Sequence, residues 1–237
     1  MDEEIYQRTE ILLGSENVDK IKKLNIVICG VGGVGSFTLE AIARIGVGKI
    51  TIIDKDIVDI TNINRQLIAT KKTIGKDKVE VAKKRINDIN PSVKVSAIKE
   101  NITSDNISSL LDSKETIDYV VDCVDNIEAK LAIILECNRK NIKCISSMGM
   151  ANKLDPLAIQ IADIYKTNTC PLAKIIRKKL KENGIKKQTV VFSTEIPKKK
   201  TEEEKKIYGN TLGSVSFVPS VAGLVIASYV IKKSLNI

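Results

Sequence analysis

LNIVICGVGGVGSFTLEAIARIGVGKITIID, residues 24–54, decides the fold. An apolar run from Ile26 to Cys29 meets a glycine loop, a helical pattern follows at once, and a second apolar run, Ile50 to Ile53, ends in an acid. Strand, glycine loop, helix, strand and acid, in that order, is how an α/β sheet builds a nucleotide pocket. In this reading Gly30 permits the tight turn, Gly32 lets the backbone approach a phosphate, and Gly35 lets helix and strand pack closely. The helix N-terminus offers unpaired N–H groups and a partial positive charge to the anion. Asp54 is placed to accept a hydrogen bond from a ribose hydroxyl. The stretch predicts an adenine-nucleotide site and leaves NAD and ATP both open.

The same alternation extends outward. Apolar runs predict strands over 24–29, 49–53, 93–98, 119–123, 143–147 and 158–163. Apolar spacing of i, i+3, i+4 predicts helices over 35–45, 77–89, 103–111 and 129–140. Asn90–Pro91 closes the second of these, because the residue before proline avoids helical angles. Strands separated by helical stretches imply an α/β, Rossmann-like, mainly parallel sheet flanked by helices. An amphipathic segment over 5–13 precedes it and ends at Gly14. After Asp163 the pattern changes. A basic helix is expected over 171–181, with Leu172, Ile175, Ile176 and Leu180 on one face, and a strand in VVFSTEIP. The charged segment KKKTEEEKKIYGN, 198–210, reads as a mobile loop, and a terminal helix spans 219–233.

Composition narrows the chemistry. At 237 residues and 43% hydrophobic, the chain can bury a core. Its longest apolar stretch, 217–231, is interrupted by Pro219 and Gly223 and reads as a buried helix rather than an anchor. The polar N-terminus MDEEIYQRTE predicts no secretory leader, hence no membrane and a cytoplasmic location. The five cysteines form no CxxC pair. Four of them read as small buried hydrophobes; Cys170, near Lys166 and Lys174, has a cationic setting of the kind that lowers a thiol pKa, against which the preferred reading is an inert thiol. There is no histidine, which removes the commonest general base, the Ser-His-Asp triad and any Cys/His zinc site. The net charge of +9 fits either a polyanionic partner or a lysine-rich composition.

The residues after Asp54 separate the nucleotides. DKDIVDITNINRQL places Asp56, Asn62, Asn64 and Arg65 at the carboxyl edge of the sheet, where ligands bind. Lys78, in GKDKVEVAKKR, lies on the first turn of the next helix, and YVVDCVDN brings Asp122, Asp125 and Asn126 to the same edge. Arginine, lysine and aspartate converging on a glycine-bound nucleotide suit a triphosphate and Mg²⁺ better than a nicotinamide. Each residue alone has a plainer reading: Arg65 as a surface cation, Lys78 as a solvated helix residue, Asp125 as a helix cap.

GVGGVG, DKDIVDITNINRQ, GKDKVEVAKKRINDINP and VVDCVDN together resemble the adenylating enzymes of the ubiquitin-activating superfamily. The resemblance implies that Gly30, Gly32, Gly33 and Gly35 cradle phosphates and that Asp54 holds the ribose. It places Asn62, Arg65 and Lys78 on the polyphosphate, with Asp56, Asp122 and Asn126 alongside, and assigns Mg²⁺ to Asp125. Arg8, in YQRTEILLG, matches an arginine that reaches into a partner subunit's ATP site, which implies a homodimer. The change of pattern after Asp163 divides the chain into an ATP-binding adenylation core over 1–163 and an extension over 164–237, expected within the same globular domain.

The sulfur-carrier activators of this superfamily usually hold zinc through two CxxC pairs, absent here. MANKLDP, IADIYKTNTCPLAKIIRKKLK, VVFSTE and GSVSFVPSVAGLVIASYVI instead resemble the tRNA threonylcarbamoyladenosine dehydratase branch. That branch implies ATP-dependent cyclisation of the threonylcarbamoyl group on the adenosine next to the anticodon. Transfer of an adenylyl group to the carboxylate would create a leaving group, and the carbamoyl group would close the ring. Lys166, Lys174, Arg177, Lys178 and Lys181 would then meet tRNA phosphates and put the 164–237 extension on the tRNA-binding face, against the alternative of a solvated basic helix. Phe192, Tyr165 and Tyr208 are the candidates to stack a flipped base. A monovalent-cation site and a sulfur-relay protein partner are left open by the residues themselves. Two departures stand out: no cysteine occurs over 212–217, where some relatives carry one, and Cys170 takes the place of an acid common in relatives. Activation of a ubiquitin-like carrier's diglycine tail, NAD-dependent oxidoreduction, and non-catalytic nucleotide or RNA binding are the competing expectations.

Overall fold

A computed structural model describes residues 4–237. One seven-stranded sheet carries the fold, in the order β3-β2-β1-β4-β5-β7-β6. The strands are β1 (Asn25–Cys29), β2 (Lys49–Ile53), β3 (Lys94–Ile98), β4 (Tyr119–Asp122), β5 (Cys144–Ser147), β6 (Ile159–Asp163) and β7 (Thr189–Ser193). All neighbours are parallel except β6 and β7, which pair antiparallel at one edge. β1 is buried along its whole length, as its unbroken apolar run requires of a strand covered on both faces. Ile26 and Ile28 point into one core layer and Val27 and Cys29 into the other, the period of two that a strand imposes.

Helices cover both faces: α1 (Gln7–Leu13), α2 (Ser15–Ile21), α3 (Gly35–Ile45), α4 (Lys78–Ile89), α5 (Ile107–Leu110), α6 (Ile127–Arg139), α7 (Pro171–Glu182), α8 (Glu202–Tyr208) and α9 (Phe217–Leu235). α9 lies against α3, and the contact is close because Gly223 has no side chain. A Cβ there would come within 2.4 Å of the Val34 carbonyl oxygen. Thr38 Oγ1 donates to the Gly223 carbonyl at 3.0 Å and locks the two helices together. Among the described residues α9 alone is long and apolar enough to cross a membrane, and half of its most apolar window is buried in the fold. Pro219 falls in the first turn, where a missing N–H breaks no helical bond.

Four local expectations change. Gly14, at φ +82°, breaks the opening amphipathic run and starts α2, which the apolar pattern did not mark. The helix expected over 103–111 shrinks to α5, because the Asn106 side chain accepts from Thr103 N and donates to Asn101 O, holding the first turn as a loop. The charged segment 198–210 contains α8, started by a capping box between Thr201 and Glu204. On α7, Ala173, Ile176 and Leu180 face the core, whereas Ile175 is 42% exposed and leaves the predicted apolar face. All five cysteines are free: Cys29, Cys137 and Cys170 are buried, Cys123 and Cys144 partly so. Burial pushes the Cys123 thiol up to about 12, the opposite of activation.

Candidate active site

The strand order reverses between β1 and β4, and the glycine loop sits at that switch point. Gly30 turns at φ +85°, and a Cβ on it would lie 3.1 Å from the Cys123 backbone. Gly35 opens α3; a Cβ there would fall 1.9 Å from the Gly30 carbonyl oxygen. Those two glycines are packing requirements. Gly32 differs, since its nearest neighbour would be Gln66 Nε2 at 3.8 Å, so the space above it is open for a ligand. Gly33 lies between Pro219 of α9 and the Arg65 side chain, whose Cγ would be 3.6 Å from its Cβ. No side chain caps α3, which leaves its N-terminal N–H groups for an anion.

Asp54 closes the loop from the other side. Its Oδ2 accepts from Val31 N at 2.8 Å and its Oδ1 from Asp56 N at 2.9 Å, leaving a lone pair on each oxygen. Lys78 N donates to Asp56 O, and the buried Lys78 Nζ meets Asp56 Oδ2 at 2.9 Å. Asn62 Oδ1 accepts from Asp59 N and shapes the turn that presents Arg65. Arg65 Nη1 donates to Thr61 O at 2.8 Å and Asn64 Oδ1 at 3.0 Å, which aims the guanidinium without consuming its other nitrogens. Asn126, not Asp125, caps α6, its Oδ1 accepting from Ala129 N at 2.9 Å. The Asp125 carboxylate is therefore exposed and free of capping duty.

Gly30, Gly32, Gly33, Gly35, Asp54, Asp56, Asn62, Arg65, Lys78 and Asp125 thus meet along the carboxyl edge of β1, β2 and β4. Asp122 does not join them. It is fully buried beneath that edge, with Oδ2 on Lys130 Nζ at 2.7 Å and Oδ1 accepting from Val124 N. Burial raises its pKa and Lys130 opposes the rise. Arg8 is exposed on α1, which packs against α2 and stands apart from this group. Gln66 is the residue that charge-based reading overlooks. It is buried, its Nε2 lies under Gly32, and its Oε1 has no partner among the described residues. Its signal was its position directly after Arg65, since an amide carries no charge to mark it.

The basic helix is partly committed to the fold. Lys166, Lys174, Lys178 and Lys181 are exposed, but Arg177 Nη1 donates to Thr167 O and Oγ1, both at 2.8 Å. Of the aromatic candidates, Phe192 is buried in the core beside Met148 and Ile164 and cannot stack on a base. Tyr165 donates its hydroxyl to the Ile185 carbonyl, and Tyr208 is 62% exposed.

A glycine loop at a switch point, closed by an acid and ringed by arginine, lysine and aspartate, defines a nucleotide-binding α/β protein. The chain belongs to the ThiF family, whose model matches residues 6–237. It is 45% identical to tRNA threonylcarbamoyladenosine dehydratase of Bacillus subtilis, over 95% of this chain and 92% of that protein. Crystal structures of E. coli tRNA N6-threonylcarbamoyladenosine dehydratase superpose on it. The complex with AMP gives a TM-score of 0.89 at 32% identity, covering 97% of this chain and 93% of that one. The complex with ATP gives 0.89 at 33% identity, covering 98% and 94%.

Proposed function

We propose that this chain is an ATP-dependent dehydratase that cyclises threonylcarbamoyladenosine in tRNA. The observation that carries the reading is the open, uncapped phosphate loop at Gly32 with Arg65 and Lys78 beside it. The relatives' full-length similarity supports the substrate. The α3 N-terminus, Arg65, Gln66 and Lys78 bind the ATP phosphates, and Asp54 accepts from the ribose. Asp125 fits Mg²⁺: its carboxylate is exposed and caps no helix, which suits an ion held by one carboxylate and substrate phosphates. When bound, the ion would neutralise phosphate charge.

A threonyl carboxylate oxygen attacks the α-phosphorus and pyrophosphate leaves. The carbamoyl group then attacks the activated carbonyl carbon, AMP departs with the former carboxylate oxygen, and one proton is released. Positive groups fixed before the reaction stabilise the charge that develops on the phosphates. In this reading the chain works in the cytoplasm as a homodimer in which Arg8 reaches the partner's site. Ile11 and Leu12, on the same helix as Arg8 and each 81% exposed, form the apolar surface that a second copy would cover.

Purified protein, ATP, Mg²⁺ and threonylcarbamoyl-modified tRNA should yield a nucleoside lighter by one water. Pyrophosphate exchange stimulated by a diglycine carrier protein, with no change in the tRNA, contradicts the proposal.

A further inference from the structure

A cavity of about 400 Å³ opens beside the phosphate-binding turn, and none of the residues assigned above to the nucleotide lines it. Three segments distant in sequence enclose it: the loop after β5, the 198–208 segment and the 211–215 loop before α9. Asn152, in the left-handed region at φ +58°, staples them. Its N–H donates to Gly213 O, its Oδ1 accepts from Gly213 N at 2.7 Å, and its carbonyl accepts from Lys198 N. Asn64, next to Arg65, donates to the Ser214 carbonyl at 3.1 Å, so one cavity wall is tied directly to the phosphate-binding turn.

The lining is cationic and carries one anomaly. Lys198, Lys199 and Lys200 face a single acid, Glu204, whose carboxylate already accepts from Thr201 N. Lys153 lines the same cavity and is 2% exposed. The other two buried lysines have carboxylate partners, Asp56 for Lys78 and Asp122 for Lys130. Lys153 Nζ has only the Ser193 carbonyl, at 3.2 Å, among the described residues. An ammonium group held this way has no carboxylate in direct contact, a costly arrangement that a ligand's carboxylate would relieve. Burial accordingly pushes its pKa down, with Cys170 and Glu195 opposing. Tyr208, exposed at the cavity wall, offers a ring face for a base.

We propose that this cavity receives the acylated adenine nucleoside of the RNA, with Lys153 binding its side-chain carboxylate and Tyr208 stacking on its base. The proposal rests on the dehydratase reading and adds to it the place of the acceptor. The 198–200 lysines meet the flanking phosphates. The volume lies within the range of about 300–1,000 Å³ usual for small-molecule sites. The Asn64–Ser214 hydrogen bond joins the cavity rim to the turn that carries Arg65, so a carboxylate seated there lies next to the phosphate-binding turn, where it must meet the α-phosphorus.

The test compares anticodon stem-loop RNA carrying the free threonylcarbamoyl acid with the same RNA carrying its methyl ester, in the wild type, Lys153→Met and Leu212→Trp. Leu212 is 65% exposed at the rim, so a larger side chain there narrows the cavity without entering the core. The wild type should bind the acid about tenfold or more tightly than the ester, the worth of a charge-assisted hydrogen bond. Lys153→Met should erase that preference, Leu212→Trp should weaken both RNAs, and ATP affinity should stay unchanged in each. Equal binding of acid and ester by the wild type overturns the proposal, as does an acid preference that survives in Lys153→Met. Preferential acid binding through Lys153 without loss of water would break the dehydratase reading and leave the pocket standing. Loss of water with both variants behaving like wild type would break the pocket alone.

Discussion

Gly32 and Gly35 sit three residues apart and have opposite tolerances. A methyl group at Gly32 meets nothing closer than 3.8 Å, whereas one at Gly35 lands 1.9 Å from a carbonyl oxygen. Gly32→Ala should therefore keep the wild-type Tm and raise the Kd for ATP at least tenfold, because the methyl occupies the phosphate's approach. Gly35→Ala should lose about 3 kcal/mol or more of stability, read by denaturant unfolding. The motif quoted first already assigns Gly32 to phosphate approach and Gly35 to packing, and the local contacts agree. Asp122 teaches the converse. Its place at a strand end suggested a ligand, but Lys130, eight residues on and in the first turn of α6, takes its charge inside the fold. Lys130→Met should cost about 3–5 kcal/mol by leaving a buried carboxylate unpaired, and Asp122→Leu in the same chain should recover much of that loss. A small effect of the single variant would mean that Asp122 faces water.

At the scale of elements, α3 is held from two sides, by α9 through Gly223 and by α4 through Glu40. Arg85 of α4 donates to both Glu40 oxygens at 2.6 and 2.9 Å, and Arg44 adds a third bond. Burial works against ionisation of Glu40, but the two arginines outweigh it and hold its pKa below the ordinary 4.5. A depressed folded pKa means the stabilisation is fully present above that value and is lost as pH falls through the folded one. Glu40→Gln should flatten stability against pH below about 4.5 and cost up to about 1 kcal/mol at pH 7. An unchanged acid limb would mean that Glu40 contributes nothing to the pH dependence of stability. On α7, replacing Lys174, Lys178 and Lys181 with Glu should weaken tRNA binding and lower the slope of log affinity against log salt by about 2–3. An unchanged slope would make α7 a solvated face. The boundaries of α3 and β2 were fully legible, because apolar period, glycine and flanking acid agree there. α8 was hidden by its charge: composition spoke for a loop while the TEEE start wrote a capping box.

The whole molecule shows where sequence reading stops. The mainly parallel sheet and the phosphate edge follow from alternating apolar runs and a motif contained in residues 24–126. The insertion of β7 between β5 and β6 does not, since pairing partners across the chain leave no periodic mark. The lysine cavity is less legible still. Asn64, Asn152 and Gly213 meet through side-chain and backbone bonds between segments up to 150 residues apart, and none belongs to a local pattern. Lys153 looks like any surface lysine until its burial is known. Everything at the phosphate edge serves one step, in which ATP turns a carboxylate oxygen into a leaving group. Labelling the threonyl carboxylate of modified tRNA with ¹⁸O and analysing the products by mass spectrometry tests it most directly. The nucleoside should be lighter by one labelled water, and AMP should carry one ¹⁸O. Unlabelled AMP, or a nucleoside of unchanged mass while ATP is consumed, would contradict it.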